Sequence, residues 1–177
     1  CNKPAVQFKG ADVTGADYGR MLVATDHNGV KRSLADFHGK VVVLFFGFVQ
    51  CPDVCPTTLS TMRTVLDKLG KEGERVQVLF MTLDPARDTA AVLKPYVSAF
   101  HPAFLGLFAD EAGTAAAARE FRVTYMKTPG PTPTSYGIAH TAFSYVIAPN
   151  GQLRLMVDHA ASAEDWLNDL RLILAGK

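Results

Sequence analysis

The chain has 177 residues, of which 48% are hydrophobic and 20% are charged, and its formal net charge is +1. This length and composition predict one globular domain with a substantial hydrophobic core. A nearly neutral chain without a run of Lys and Arg offers no electrostatic basis for binding nucleic acid. The longest apolar run, Val41 to Val49, has nine residues, whereas a membrane-spanning helix needs about 20. We therefore expect that the chain itself does not cross a membrane.

The beginning of the chain differs in character from the rest. Cys1 is followed by a polar stretch rich in Gly and Ala that runs to Tyr18. A cysteine at the first position of a cysteine-poor chain favours a mature lipoprotein, although a trimmed chain that happens to begin there would look the same. We predict that Cys1 is a lipid anchor, that residues 1–20 are a tether, and that residues 21–177 form the domain. Lipidation would place the protein outside the cytoplasm, where thiols can be oxidised.

Strand and helix signals alternate along the domain. The order predicts an α/β fold of the thioredoxin-like kind, with a central mixed sheet flanked by helices and an N-terminal β-hairpin extension. The segment 126–137, rich in Pro, Gly and Thr, is predicted as a loop between ordered elements. The predicted elements are a hairpin at 21–34, buried strands at 41–48 and 76–84, a strand at 104–109, a hairpin at 141–158, and helices at 57–69, from an Asp88 cap to about 100, at 112–121 and at 163–175.

Two of the three cysteines, Cys51 and Cys55, follow the first buried strand in the segment FGFVQCPDVCP. A proline follows each of them and disfavours helical backbone at the cysteine, whereas Pro56 suits the first position of a helix. We therefore expect both cysteines in a loop that ends at a helix N-terminus. That position favours the thiolate, the form required for redox chemistry and for metal binding.

Three interpretations of the cysteine pair are open at this point: a stabilising disulfide, a redox switch and half of a metal site. A disulfide across so short a loop stabilises a fold only weakly. A metal site needs a further ligand, and imidazole together with thiolate suits copper. His140 is the best candidate because it lies between the 126–137 loop and the last hairpin, near the expected position of the cysteines. The other histidines are expected in exposed loops or beyond the last hairpin: His27, His38, His101 and His159.

Three segments, FGFVQCPDVCP, TLDPARDT and IAHTAFSYVIAPNG, occur in this order and at separations that resemble the SCO/SenC family of copper proteins, which assist assembly of cytochrome c oxidase. The resemblance covers roughly residues 23–175. It implies a thioredoxin-like fold and a copper site for Cu(I), Cu(II) or both, with Cys51, Cys55 and His140 as ligands. It also implies that the cysteine pair is redox-active. Bacterial members are held at the cytoplasmic membrane, which agrees with a Cys1 anchor on the periplasmic side.

Two positions beside the expected ligands need separate interpretation. Many members of the family have an acidic residue immediately before the histidine, whereas Ala139 stands there in this chain and supplies no carboxylate. Asp84 ends the second buried strand and is a candidate for orienting a metal ligand through a hydrogen bond. The alternative is that Asp84, Arg87 and Asp88 make loop and cap interactions that shape the rim of the site.

The resemblance implies a copper chaperone that delivers copper to the binuclear copper centre of an oxidase subunit. No surface stripe in the sequence suggests an obligate dimer, so we expect a monomer. The alternative is a thiol-disulfide reductase that reduces the copper-ligand cysteines of that subunit, in which His140 is dispensable. The spacing of the pair is one residue longer than the usual Cys-x-x-Cys. A thiol peroxidase shares this fold, but the CPDVCP segment does not resemble the setting of a peroxidatic cysteine. A copper-sensing role also stays open, and the sequence does not indicate the copper donor.

Overall fold

A computed structural model describes residues 5–177 as one mixed sheet with helices on both faces and a separate two-stranded hairpin. Cys1, the predicted anchor, lies outside these residues. Within residues 5–177, no helix combines the length and the apolar character needed to cross a membrane. The strands are β1 (Ala11–Asp12), β2 (Val23–Asp26), β3 (Lys31–Ser33), β4 (Val41–Gly47), β5 (Val76–Thr82), β6 (Leu105–Phe108), β7 (Tyr125–Thr128), β8 (Gly137–His140), β9 (Phe143–Ile147) and β10 (Leu153–Asp158). The helices are α1 (Val54–Leu69), α2 (Ala90–Phe100), α3 (Glu111–Glu120) and α4 (Ala163–Leu174).

The large sheet has the strand order β1-β10-β9-β4-β5-β6-β2-β3. Its centre is parallel, because β4, β5 and β6 run in the same direction. Strand β9 pairs antiparallel with the other side of β4, and β2 pairs antiparallel with β6. Helices α1, α2 and α4 contribute to the core on one face, and α3 contributes to the core on the other. The predicted α/β fold with a mixed sheet and flanking helices is confirmed.

Strand β4 carries the cysteine loop and is buried along its whole length. Its side chains alternate between the two cores, with Val43 and Phe45 on the α1 face and Leu44 and Phe46 on the α3 face. A strand that is covered on both faces has no polar alternation, as its sequence predicts. The end of this strand is therefore a rigid base for the residues that follow it.

Helix α1 begins earlier than predicted. It starts at Val54, so Cys55 is the second helical residue and not part of the preceding loop. The first bond of the helix runs from the Thr57 N–H to the Asp53 carbonyl, at 3.1 Å. The prolyl nitrogen of Pro56 lies in the first turn, where helical N–H groups have no intrahelical partner, so the helix loses no hydrogen bond there.

The N-cap residue of helix α2 is Thr89 and not Asp88, which corrects the predicted cap, and the Thr89 side chain makes no capping hydrogen bond. The Asp88 carboxylate is turned inward instead. It accepts hydrogen bonds from the Thr82 hydroxyl at 2.6 Å and from the Val49 N–H at 3.0 Å. Asp88 therefore ties the end of β5 to the cysteine loop.

Part of the predicted tether is bound to the domain. The N–H groups of Lys9 and Gly10 each donate to the buried carboxylate of Asp169 in α4, at 2.8 Å. Strand β1 then pairs with β10 through Ala11 and Met156. The chain is thus fixed to the edge of the sheet well before residue 21, the predicted start of the domain.

Candidate metal centre

Three side chains with soft or borderline metal-ligating atoms meet at the carboxyl end of β4. The ligand atoms of Cys51, Cys55 and His140 all lie within 4.8 Å of one another. The structure therefore brings together the three ligands that the sequence predicts. Both cysteines are free thiols.

Cys55 is the buried member of the pair, with no exposed surface. It packs directly against the last residue of β4, Gly47. A Cβ at that glycine would lie 2.5 Å from the Cys55 Sγ and 2.9 Å from Cε2 of Phe80. Only glycine leaves room for the thiol, so the close approach of β4 and α1 depends on this residue.

We expect Gly47→Ala to lower the free energy of unfolding by about 1–3 kcal/mol, because overpacking a rigid contact forces the neighbouring groups to move. Urea denaturation of the reduced protein measures the change. Gly137→Ala is a matched control, since its Cβ would meet only the Thr128 hydroxyl at the end of an exposed side chain. Equal effects of the two substitutions would contradict the close approach as the cause.

Cys51 is partly exposed and lies in a turn closed by a hydrogen bond from its own N–H to the Phe48 carbonyl, at 3.1 Å. A hydrogen bond from the Cys55 thiol, with further contributions from His140 and from the N–H groups of Cys55 and Asp53, lowers the pKa of Cys51 to about 4, although burial acts in the opposite direction. The accessible member of the pair is therefore a thiolate at neutral pH.

The two thiols have opposite acid–base properties. The hydrogen bond to Cys51, together with burial and the charge of the Cys51 thiolate, raises the pKa of Cys55. The pair thus keeps one proton, which is on the buried Cys55 sulfur and forms the hydrogen bond to the Cys51 sulfur. This arrangement gives one nucleophile and one protected thiol beside it.

His140 is the last residue of β8 and reaches the cysteines from a hairpin that the sequence analysis missed. Strands β7 and β8 pair antiparallel, with Tyr125 opposite His140. The predicted loop at 126–137 is in fact the end of β7, a turn and the start of β8. The residues of β7 are all exposed, so this strand lacks the alternation of apolar and polar residues by which strands are recognised.

The orientation of the His140 ring is fixed by a backbone hydrogen bond. Nδ1 lies 2.8 Å from the Thr141 carbonyl oxygen, which can only accept, so Nδ1 carries the proton. Nε2 is then free to bind a metal. The ring also makes an edge contact with Phe48, at 6.1 Å between centroids.

The acid–base state of His140 follows from its neighbours. Burial acts to lower the pKa of His140, but hydrogen bonds with Cys51 and with the Thr141 carbonyl, together with the charge of Cys51, outweigh it and raise the pKa. Without metal, the site therefore favours an imidazolium paired with a thiolate. Binding of a metal would displace this proton.

A polar cluster beside the ligands forms the rim of the site. Asp84 accepts hydrogen bonds from the Tyr136 hydroxyl, at 2.6 Å, and from Nε of Arg87. The carboxylate thus bonds to Arg87 and Tyr136, and any effect of Asp84 on a ligand would act through these two residues. Arg87 lies on the rim, as the sequence predicts. Nothing in the sequence indicates Tyr136 or Gln50 at the rim, and Arg87 also donates to the Gln50 side chain.

The remaining histidines are not part of this cluster. His27 is buried, and its Nδ1 accepts a hydrogen bond from the Gly106 N–H at 3.1 Å, so the expected exposure of His27 is wrong. His38 and His159 are exposed as expected, and His101 is partly buried.

The fold and the cluster define a thioredoxin-like protein with a Cys/Cys/His set of potential metal ligands. The family model for SCO1/SenC matches residues 11–175. The chain therefore belongs to the SCO1/SenC family, and the resemblance of the three sequence segments is confirmed.

Individual relatives agree with this assignment. The mitochondrial SCO2 homolog of Bos taurus is 38% identical over 152 residues, which are 85% of this chain and 57% of the relative. The mitochondrial SCO2 homolog of Mus musculus is 37% identical and is covered to 60%, so the chain spans less than two thirds of these curated relatives.

Two solved structures with copper bound are similar in fold and sequence. Bradyrhizobium japonicum ScoI with copper bound has a TM-score of 0.80 and 34% identity, covering 87% of this chain and 98% of that chain. Yeast Sco1 with copper bound has a TM-score of 0.83 and 31% identity, covering 92% and 91%. The thioredoxin-like fold is confirmed by these matches.

Proposed function

We propose that this protein handles copper for cytochrome c oxidase, binding the metal through Cys51, Cys55 and His140 and delivering it to the binuclear copper centre of an oxidase subunit during assembly. The observation that carries the proposal is the convergence of the three ligand atoms within 4.8 Å. Similarity to ScoI and Sco1, both solved with copper bound, supports copper as the metal.

The donor set fits copper in both oxidation states. Two thiolates are soft ligands that select Cu(I), and the imidazole nitrogen of His140 suits Cu(II) as well. Three protein ligands would leave a coordination position for a further ligand, and Cys51 is partly exposed. An incoming ligand of the acceptor can therefore reach the metal before the chaperone releases it.

The same cysteine pair supports a second candidate function, a thiol-disulfide reductase. The observation in its favour is the pairing of a partly exposed Cys51 thiolate with the buried Cys55 thiol. Cys51 would attack a disulfide of the oxidase subunit and release one subunit thiolate. Cys55, after losing its proton, would then attack the Cys51 sulfur, forming the intramolecular disulfide and releasing the second subunit thiolate.

His140→Ala distinguishes the two functions. The reduced protein is given one equivalent of Cu(II) without oxygen, and visible absorption and electron paramagnetic resonance are recorded. We expect wild type to show a sulfur-to-copper charge-transfer band, and His140→Ala to lose or shift it while still closing its disulfide. His38→Ala, at an exposed histidine, is the control.

The result decides between the candidates. If wild type gave no stable copper–thiolate signal and only oxidised rapidly to the disulfide, the reductase function would replace the chaperone. If His140→Ala kept the wild-type spectrum, His140 would not be a ligand. In cells, oxidase assembly that survives His140→Ala but not Cys51→Ser would also favour the reductase.

Attachment to the periplasmic face of the cytoplasmic membrane through a lipid on Cys1 is part of the proposal and rests on the sequence. Mass spectrometry of the protein purified from membranes tests it, since a lipidated Cys1 peptide carries the mass of the acyl chains. An unmodified Cys1 in that fraction would overturn it. We expect the anchored protein to be a monomer.

A further inference from the structure

Arg87 joins three parts of the chain at the rim of the metal centre. Its Nε donates to Asp84 in its own loop. Its Nη1 donates to the side-chain oxygen of Gln50 at 3.0 Å and to the carbonyl oxygen of Thr134 at 3.1 Å. Gln50 precedes Cys51, and Thr134 lies in the turn of the hairpin that ends in His140. One guanidinium group therefore bonds to the segments on both sides of the site.

Aromatic contacts strengthen this connection. The guanidinium carbon of Arg87 lies 3.7 Å from the centroid of the Tyr136 ring, and the Tyr136 hydroxyl donates to Asp84. The same carbon lies 6.0 Å from the Phe48 ring, which in turn contacts the edge of His140. Lysine cannot replace Arg87 here, because its ammonium group is a point charge that cannot both stack on a ring and donate several hydrogen bonds in one plane.

The hairpin turn depends on these contacts. Residues 129–136 contain three prolines and form no strand. Among the hydrogen bonds of residues 5–177, those that tie the turn to other segments are the bond from Arg87 to the Thr134 carbonyl and the bond from Tyr136 to Asp84. Loss of Arg87 would remove one of these two bonds and would loosen the turn and, through β8, the position of His140.

Fold stability does not explain this arginine well. Its Nη2 is buried and has no hydrogen-bond partner within the described part of the chain, which is unfavourable for folding. A buried group that keeps an unmet donor beside a cluster of ligands is typical of a residue retained for a function.

We propose that Arg87 is a positioning residue of the metal centre, which fixes the hairpin of His140 against the cysteine loop and thereby raises the affinity of the site for Cu(II) relative to that for Cu(I). The inference rests on the proposed copper binding. Two thiolates suffice for Cu(I), whereas Cu(II) also needs the imidazole in place. Displacement of His140 therefore weakens the binding of Cu(II) far more than that of Cu(I).

The test compares Arg87→Lys and Arg87→Met with wild type in competition titrations for Cu(I) and Cu(II). We expect the affinity for Cu(II) to fall about 10–100-fold, the range seen when a residue that supports a metal ligand is lost. The affinity for Cu(I) is expected to change by less than about threefold, well below that range. Arg122→Lys is the matched control. Arg122 likewise stacks on a tyrosine, Tyr18 at 4.1 Å, and pairs with Asp17, but on another part of the surface.

A second readout needs no copper. Amide hydrogen exchange of residues 137–140 in the reduced, metal-free protein reports how firmly the hairpin is held. We expect exchange there to be faster in Arg87→Lys and unchanged in Arg122→Lys. Tyr136→Phe keeps the ring under the guanidinium but removes the bond to Asp84. We expect its exchange rate at residues 137–140 to lie between those of Arg87→Lys and Arg122→Lys.

The outcomes separate the two proposals. A fall of both copper affinities by the same factor, or unchanged affinities together with wild-type exchange, would overturn the role of Arg87. If wild type bound no copper, the proposed copper function would fail, and unchanged exchange in Arg87→Lys would still overturn the positioning role by itself.

Discussion

Replacing Cys51 with serine is expected to lower the affinity of the reduced protein for Cu(I) by more than about a hundredfold. Residues that only support a metal ligand typically contribute 10–100-fold, and Cys51 is predicted to be a ligand itself. Serine is a poor ligand for Cu(I) because its hydroxyl is hard and stays protonated, whereas the pKa of Cys51 is lowered to about 4 and its sulfur is soft. Competition against a chromophoric Cu(I) chelator under anaerobic conditions measures the change.

The control for this substitution is Cys1→Ser, which removes the cysteine outside the described residues and is expected to leave the affinity unchanged. Denaturation of metal-free Cys51→Ser checks that the fold survives, as expected for a partly exposed residue. Tight Cu(I) binding by a folded Cys51→Ser would contradict the assignment of the site.

Alkylation of Cys51 by iodoacetamide is expected to proceed at nearly the same rate at pH 5.5 and at pH 7. With a lowered pKa of about 4, Cys51 loses its thiolate only as the pH falls through that value. The alkylation rate of an ordinary cysteine with a pKa of about 8.5 falls about 30-fold when the pH is lowered from 7 to 5.5. The shape of the profile is the measurement, because a thiolate of low pKa is also a weaker nucleophile and its absolute rate is not raised in proportion.

Fragment-ion mass spectrometry of the labelled peptide distinguishes Cys51 from Cys55. Cys55→Ala removes the hydrogen bond that contributes most to the low pKa of Cys51, so its profile is expected to shift to higher pH. Cys55→Ser retains a donor at that position and is expected to shift less. A wild-type profile that runs parallel to that of the urea-unfolded protein would show that Cys51 has an ordinary pKa.

The parts of the structure that the sequence predicted well are those determined by local patterns. The run of apolar residues in β4 and the periodic apolar residues of α4, such as Trp166 and Leu170, correspond to buried elements. The predicted start of α1 was wrong because the restriction that a proline places on the backbone of the preceding residue is only a preference. Cys55 overcomes it in packing against Gly47.

The ligands were easier to predict than their surroundings. Cys51, Cys55 and His140 carry recognisable chemistry and lie in segments that resemble a known family. The hairpin of β7 and β8 left no alternating pattern because β7 is exposed on both faces. The bonds from Arg87 to Gln50 and Thr134 join segments far apart in the chain, and nothing in the sequence around each residue indicates such a partner.

The three predicted ligands come from two distant regions, the junction of β4 with α1 and the end of β8. The cluster therefore exists only after long-range folding is complete, and an ion bound there acts as a cross-link between the two regions. An ion present at a thousandfold excess over its dissociation constant would add about 4 kcal/mol to the free energy of unfolding. A bound ion would restrain the hairpin in addition to the contacts of Arg87 and Tyr136, so β7 and β8 would be less mobile with the metal than without it. Under the proposed function, an acceptor could thereby distinguish a loaded protein from an empty one by the mobility of the hairpin as well as by the metal.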